Sequence, residues 1–165
     1  MADRTECVHT PDIKFMQEAL KEAEKAYALD EVPVGAVIVY DGEVYARGHN
    51  LRETMGDPTA HAEIIAIRNA ARKRKSWRLH GMTIYITLEP CPMCAGAMVN
   101  SRLDRVVFGA ADPKAGAVTS LMNLVADERL NHRLQAEGGV LASHSQELLR
   151  RFFRKKRKNQ TEKPG

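Results

Sequence analysis

Between Thr83 and Gly109 the chain changes character three times. Thr83 to Leu88 is an apolar, strand-like run, Pro92 to Asn100 a helical stretch opened by proline, and Arg105 to Gly109 a short run of Val-Val-Phe character. A strand, helix, strand unit must lay its helix on a sheet face, which commits the chain to α/β architecture. The other segments extend it. From Asp12 to about Leu29, Ile13, Met16, Ala19, Leu20 and Ala23 recur at helical spacing. Val34 to Tyr40, the Asp41-Gly42 turn signal and Glu43 to Gly48 predict two antiparallel strands. After a loop from Asn50 to Asp57, a capping Asp57 and Pro58 at the first helical position predict a second helix from Thr59 to about Lys75. Ile64, Ile65, Ile67 and Ala71 would form its apolar face. Thr119 to Val125 reads as a weak helical patch, Val140 to Ala142 as a weak strand, and Ser145 to about Lys156 as a terminal helix. The expected fold is a three-layer α/β/α sandwich around a central mixed sheet of about five strands.

At 165 residues the chain suits one domain. It is expected over residues 12–158, between a mobile N-terminal end at 1–11 and a disordered tail at 159–165. No apolar run approaches the ~20 residues of a membrane helix. Asp3, Arg4 and Glu6 leave no place for a signal peptide's apolar core, so no membrane association is expected and the cytoplasm is the default.

The net charge of +4 hides an uneven distribution. Residues 72–78 and 150–158 hold 12 of the 25 basic residues and no acid; the other 13 face all 21 acidic ones, leaving the rest of the chain at −8. An acidic body with two concentrated positive runs points to an anionic partner, nucleic acid first. Phe152 and Phe153 lie inside the second run, which suits one ring in the core and one stacking on a base. Trp77 in the first run is either a core anchor or a stacking residue, and a solvated helix end remains an alternative for that run.

Cys91 and Cys94 sit at i and i+3 in Pro-Cys-Pro-Met-Cys at a helix start, which puts both sulfurs on one face. Such a pair is a redox couple or part of a zinc site. His61-Ala62-Glu63, near the start of the preceding helix, supplies a third ligand in His61. His-x-Glu followed by Pro-Cys-x-x-Cys is the pattern of zinc nucleobase deaminases. Three protein ligands leave one tetrahedral position open for water. Two thiolates neutralise the dication, so a separate base is needed, and Glu63 is placed to be that proton shuttle. Cys7 could close the site as a fourth ligand or be a free thiol.

Further blocks bear on the family: Val32-Pro33-Val34-Gly35-Ala36, His49-Asn50, Asp57-Pro58-Thr59-Ala60, Asp112-Pro113-Lys114-x-Gly116-Ala117, Leu130-Asn131-His132-Arg133 and Phe152-Phe153-Arg154. With the two zinc motifs they make the chain, from about Phe15 to Arg157, resemble the bacterial tRNA-specific adenosine deaminases of the cytidine-deaminase-like superfamily. The resemblance implies hydrolysis of adenosine to inosine at the wobble position of a tRNA anticodon stem-loop, by a homodimer with one Zn2+ per subunit. It implies His61, Cys91 and Cys94 as ligands, Glu63 as the catalytic residue, and Asn50 on the purine. Asp112 would contact a nucleotide beside the flipped base, and Phe152, Phe153, Arg154 and Arg157 the loop. Rival readings are a zinc deaminase of free guanine, cytosine or a nucleoside, and a non-catalytic zinc-stabilised RNA-binding module.

Overall fold

The computed structural model describes residues 10–162. Strands β1 (Gly35–Tyr40), β2 (Glu43–His49), β3 (Thr83–Leu88), β4 (Arg105–Ala110) and β5 (Gln135–Glu137) form one sheet in the order β2-β1-β3-β4-β5. The β1 strand runs antiparallel to β2 and β3, whereas β3, β4 and β5 are mutually parallel, so the sheet is mixed as expected. The central strands are buried on both faces, and their side chains alternate between two cores. Ile38, Ile84, Ile86, Val106 and Phe108 face one core; Val37, Val39, Tyr85 and Val107 face the other.

Helices α3 (Ala62–Arg74) and α4 (Pro92–Asn100) cover the first face, while α1 (Thr10–Ala28) and α5 (Ala142–Thr161) cover the second. Close approach fixes both docking seams. A Cβ on Gly35 would lie 2.1 Å from the Ala19 carbonyl oxygen of α1, and one on Gly48 2.4 Å from the Ala62 carbonyl oxygen of α3. Both positions therefore need glycine for space. Among the described residues no helix is long and apolar enough to cross a membrane.

Several expectations need correction. Pro58 does not open a helix: Asp57 Oδ1 accepts from the Thr59 amide and hydroxyl, which closes a turn, and α3 begins at Ala62 with His61 as its N-cap. Its buried face is Ala62, Glu63, Ala66 and Ala70, with the three isoleucines only half-buried, because the seam over Gly48 admits nothing larger than a methyl. The loop after Asn50 contains a one-turn helix, α2 (Arg52–Met55). Thr119 to Val125 is not helical, since the Thr119 and Ser120 amides donate to the Glu89 carboxylate. Val140 to Ala142 is not a strand: Leu141 adopts a left-handed conformation (φ 52°) and caps α5. The fifth strand is instead the polar segment Gln135–Glu137. Cys7 lies outside the described residues.

Candidate active site

Two helix N-termini converge at one end of the sheet. His61 is the N-cap of α3 and Cys91 that of α4, both in extended conformation, and neither side chain makes a capping hydrogen bond. They turn toward each other instead. His61 Nδ1 lies 3.7 Å from Cys91 Sγ and 3.4 Å from Cys94 Sγ, and the three donor atoms all fall within 4.8 Å of one another. With metal–sulfur bonds near 2.3 Å and metal–nitrogen bonds near 2.0–2.1 Å, a tetrahedral ion would separate N and S by about 3.6 Å. The observed distances bracket that value, so the donor set fits a zinc-type ion in both geometry and chemistry.

The electrostatics agree. A hydrogen bond from Cys94 and the neighbouring His61 hold the Cys91 thiol at about 4, whereas that same bond and burial push Cys94 up. The positive ends of two helices add to this preference for a sulfur anion. Glu63, in the first turn of α3, is buried beside Cys94, and burial raises its carboxyl above the ordinary range. A carboxyl so placed holds a proton more readily than a solvated one, which suits a group that relays protons.

A cleft of about 220 Å³ opens over these groups, lined by Asn50, His61, Glu63, Cys91 and Asp112 among others. Asn50 is locked: its Nδ2 donates to the Val32 carbonyl and its Oδ1 accepts from the Arg52 amide, leaving the second amide hydrogen for the cleft. Asp112 Oδ1 accepts from the amides of Lys114 and Ala115, the turn role its sequence context suggests, yet the residue lines the same cleft. Beyond Asn50 and Arg52 a groove continues to α5, reaching Phe153, Lys156 and Gln160. The two phenylalanines divide as expected: Phe152 is 3% exposed and packs edge-on against Tyr27, while Phe153 is 45% exposed. Arg154 and Arg157 are exposed on the same helix.

A family model for MafB19-like deaminases matches residues 11–157. Over 149 residues, 90% of this chain and 92% of the relative, the sequence is 53% identical to a tRNA-specific adenosine deaminase of Bacillus subtilis (strain 168). The chain belongs to the tRNA-specific adenosine deaminase family. A family member from Haemophilus influenzae is 50% identical over 147 residues, 88% of this chain and 85% of its own. A solved tRNA:A34 deaminase, studied for A-to-I editing at the wobble position, superposes with a TM-score of 0.79 at 44% identity, covering 82% of this chain and 98% of that one. The family match spans every cleft residue named above.

Two buried glutamates that motif and spacing do not single out hold the walls of this family's cleft in place. Glu89 accepts from the amides of Asp112, Val118, Thr119 and Ser120 and from the Ser120 hydroxyl. Burial alone would raise its carboxyl, but these donors reverse the effect and hold it at about 2. Glu31, 1% exposed, accepts from the Thr54 amide and hydroxyl and so pins α2. An acid ending the apolar run Thr83 to Leu88 was the available signal for Glu89; Glu31 carries none.

Proposed function

We propose that this chain is a zinc-dependent hydrolase that converts adenosine to inosine at the wobble position of a tRNA anticodon loop. The convergence of His61, Cys91 and Cys94 beside the buried Glu63 carries the chemical half of this reading. Membership of a family whose members are named for tRNA supports the substrate half. Such a substrate would be met in the cytoplasm.

The three side chains would hold one zinc ion per subunit. When bound, zinc would supply a Lewis acid that lowers the pKa of water so that Glu63 can remove its proton. Glu63 Oε takes a proton from the attacking water and delivers it to purine N1 as the oxygen bonds to C6. Glu63 then moves the remaining hydroxyl proton to the amino nitrogen. The C6–N bond breaks, ammonia leaves, and the C6 carbonyl of inosine forms. Asn50, locked by two backbone bonds, orients the purine with its free amide hydrogen. Asp112 stands beside the base that enters the cleft. Phe153, Arg154 and Arg157 engage the loop outside, with Phe152 anchoring their helix in the core.

The enzyme acts as a homodimer in this proposal. Support comes from the outer surface of the α3–α4 pair, where Ile64 and Ile65 are half-buried, Met93 is exposed and a methyl on Gly96 would meet open space. Apolar surface of this kind suits burial against a copy of itself.

Mass spectrometry of tRNA treated with the purified protein tests the reading: inosine at the wobble position is expected. Turnover of free nucleosides with no inosine in tRNA would replace it by a small-molecule deaminase, and no deamination at all by a binding module. Metal analysis of Cys91→Ser should show lost zinc; full retention would remove Cys91 from the ligand set.

A further inference from the structure

The cationic run at the end of α3 is the surface that the proposed chemistry leaves unused. It lies at the opposite end of α3 from His61, 13 residues away along the helix, or about 20 Å at 1.5 Å per residue. There it is not a bare charge run. Lys73 sits 4.2 Å from the ring centroid of Tyr45 and Arg74 5.1 Å from that of Tyr40, and the two rings themselves meet edge-on. Trp77, 52% exposed, carries Arg78 at 4.2 Å and Arg102, from beyond the end of α4, at 5.7 Å. Segments distant in sequence thus assemble two aromatic and cationic clusters, which the short stretch from Lys73 to Arg78 connects along the chain. Among the described residues none of Arg72, Lys73, Arg74, Lys75, Arg78 and Arg102 forms an ion pair.

Helix-end electrostatics account for part of this, because cations in a last turn complement the helix dipole. They do not account for the exposed tryptophan. Nor do they explain why Lys75 (φ 58°) and Arg102 (φ 64°) occupy left-handed positions that glycine fills without strain. Side chains kept at strained positions point to a use for those side chains. A second copy of the chain is a poor occupant, since a symmetric contact would set six uncompensated cations against six more. Unpaired cations with an exposed ring for stacking match a nucleic-acid backbone and its bases.

The geometry points to this surface as a second docking site for the sugar-phosphate backbone of the substrate tRNA, outside the anticodon loop that enters the cleft. This rests on the proposed tRNA activity and extends it: the enzyme grips the body of its substrate as well as the loop.

The test compares full-length tRNA with an isolated anticodon stem-loop. Binding of each to wild type, to Arg72→Glu/Lys75→Glu/Arg78→Glu and to Trp77→Ala is measured by anisotropy across a salt series. The triple variant is expected to weaken tRNA binding at least about 10-fold and to lower the log–log salt slope by about 0.7–0.9 for each phosphate it no longer neutralises. Trp77→Ala should weaken tRNA binding without changing that slope. Affinity for the stem-loop and single-turnover deamination of it should stay at wild-type levels. Unchanged tRNA affinity and slope overturn the inference, as do equal losses on tRNA and stem-loop. Competition by poly-glutamate as effective as by tRNA would overturn it in favour of an acidic protein partner. Absence of inosine with the wild-type enzyme would instead sink the activity reading, an outcome separate from all of these.

Discussion

The two helical layers flank the same sheet but do different work. On the α3–α4 face both helices start at the cleft, so their N-caps present the donors proposed to hold the metal, their positive ends favour anionic sulfur, and Glu63 in a first turn becomes a buried acid. On the α1–α5 face the polar groups tie the layer together instead. Tyr85 donates to Asp12, Arg105 makes a two-pronged contact with the same carboxylate, and Arg105 also pairs with Glu137. Reactivity collects where helices begin over an open end of the sheet; the layer that seals the other face carries stability and, through α5, the proposed grip on RNA.

That division predicts which substitutions separate activity from stability. Glu63→Gln should have the largest effect: deamination falls by about 10²–10⁴-fold, the range for losing a general acid–base group. Zinc content and melting temperature stay near wild type. If metal is lost in parallel with activity, Glu63 belongs to the scaffold and the contrast between layers fails. Phe152→Ala should cost about 3–5 kcal/mol of stability in urea unfolding, as expected for a deleted core ring, and loosen α5 before it touches the zinc site. A variant as stable as wild type would show that the α5 anchor lies elsewhere.

Phe153→Ala, next along the same helix, sharpens the contrast. Its KM for the anticodon stem-loop should rise by about 5- to 160-fold, corresponding to one base stack of about 1–3 kcal/mol, with kcat and melting temperature unchanged. A fall in kcat alone would place Phe153 nearer the reacting base than the proposed groove allows. The smallest effect is expected for Tyr85→Phe, about 1 kcal/mol for one net hydrogen bond. Burial and the bond to Asp12 raise the Tyr85 phenol well above its ordinary value near 10. Its contribution is therefore complete below about pH 10, where the unfolded phenol is still protonated, and is lost as pH rises beyond that. Urea midpoints of wild type and Tyr85→Phe should differ by a constant amount below about pH 10 and converge as pH rises above it; a gap that stays constant above that pH would mean that the phenol titrates alike in both states.

What was legible in the sequence followed local rules. The β3–α4–β4 unit and the β1–β2 hairpin appeared because buried strands are apolar along their length and an Asp-Gly pair marks a tight turn. The cluster of His61, Cys91 and Cys94 appeared because two helix starts carried donor residues at fixed spacing. The inner face of α3 was hidden, since the seam selects for small residues and Ala62, Ala66 and Ala70 look bland beside three isoleucines. Strand β5 was hidden because a polar edge strand of three residues has no hydrophobic period. The role of Glu89 depends on the chain returning at residues 112–120, a meeting of distant segments that spacing cannot encode.

The seam at Gly48 has a consequence for how this protein tolerates change. The smallest possible side chain already collides with the backbone at Ala62, one residue from His61 and one from Glu63. The height of His61 and of Glu63 above the sheet is thus gauged by a missing methyl group. Variation that leaves every catalytic group intact can still detune the enzyme there, so a mutational library of the active site that spares Gly48 samples chemistry, and one that includes it samples alignment.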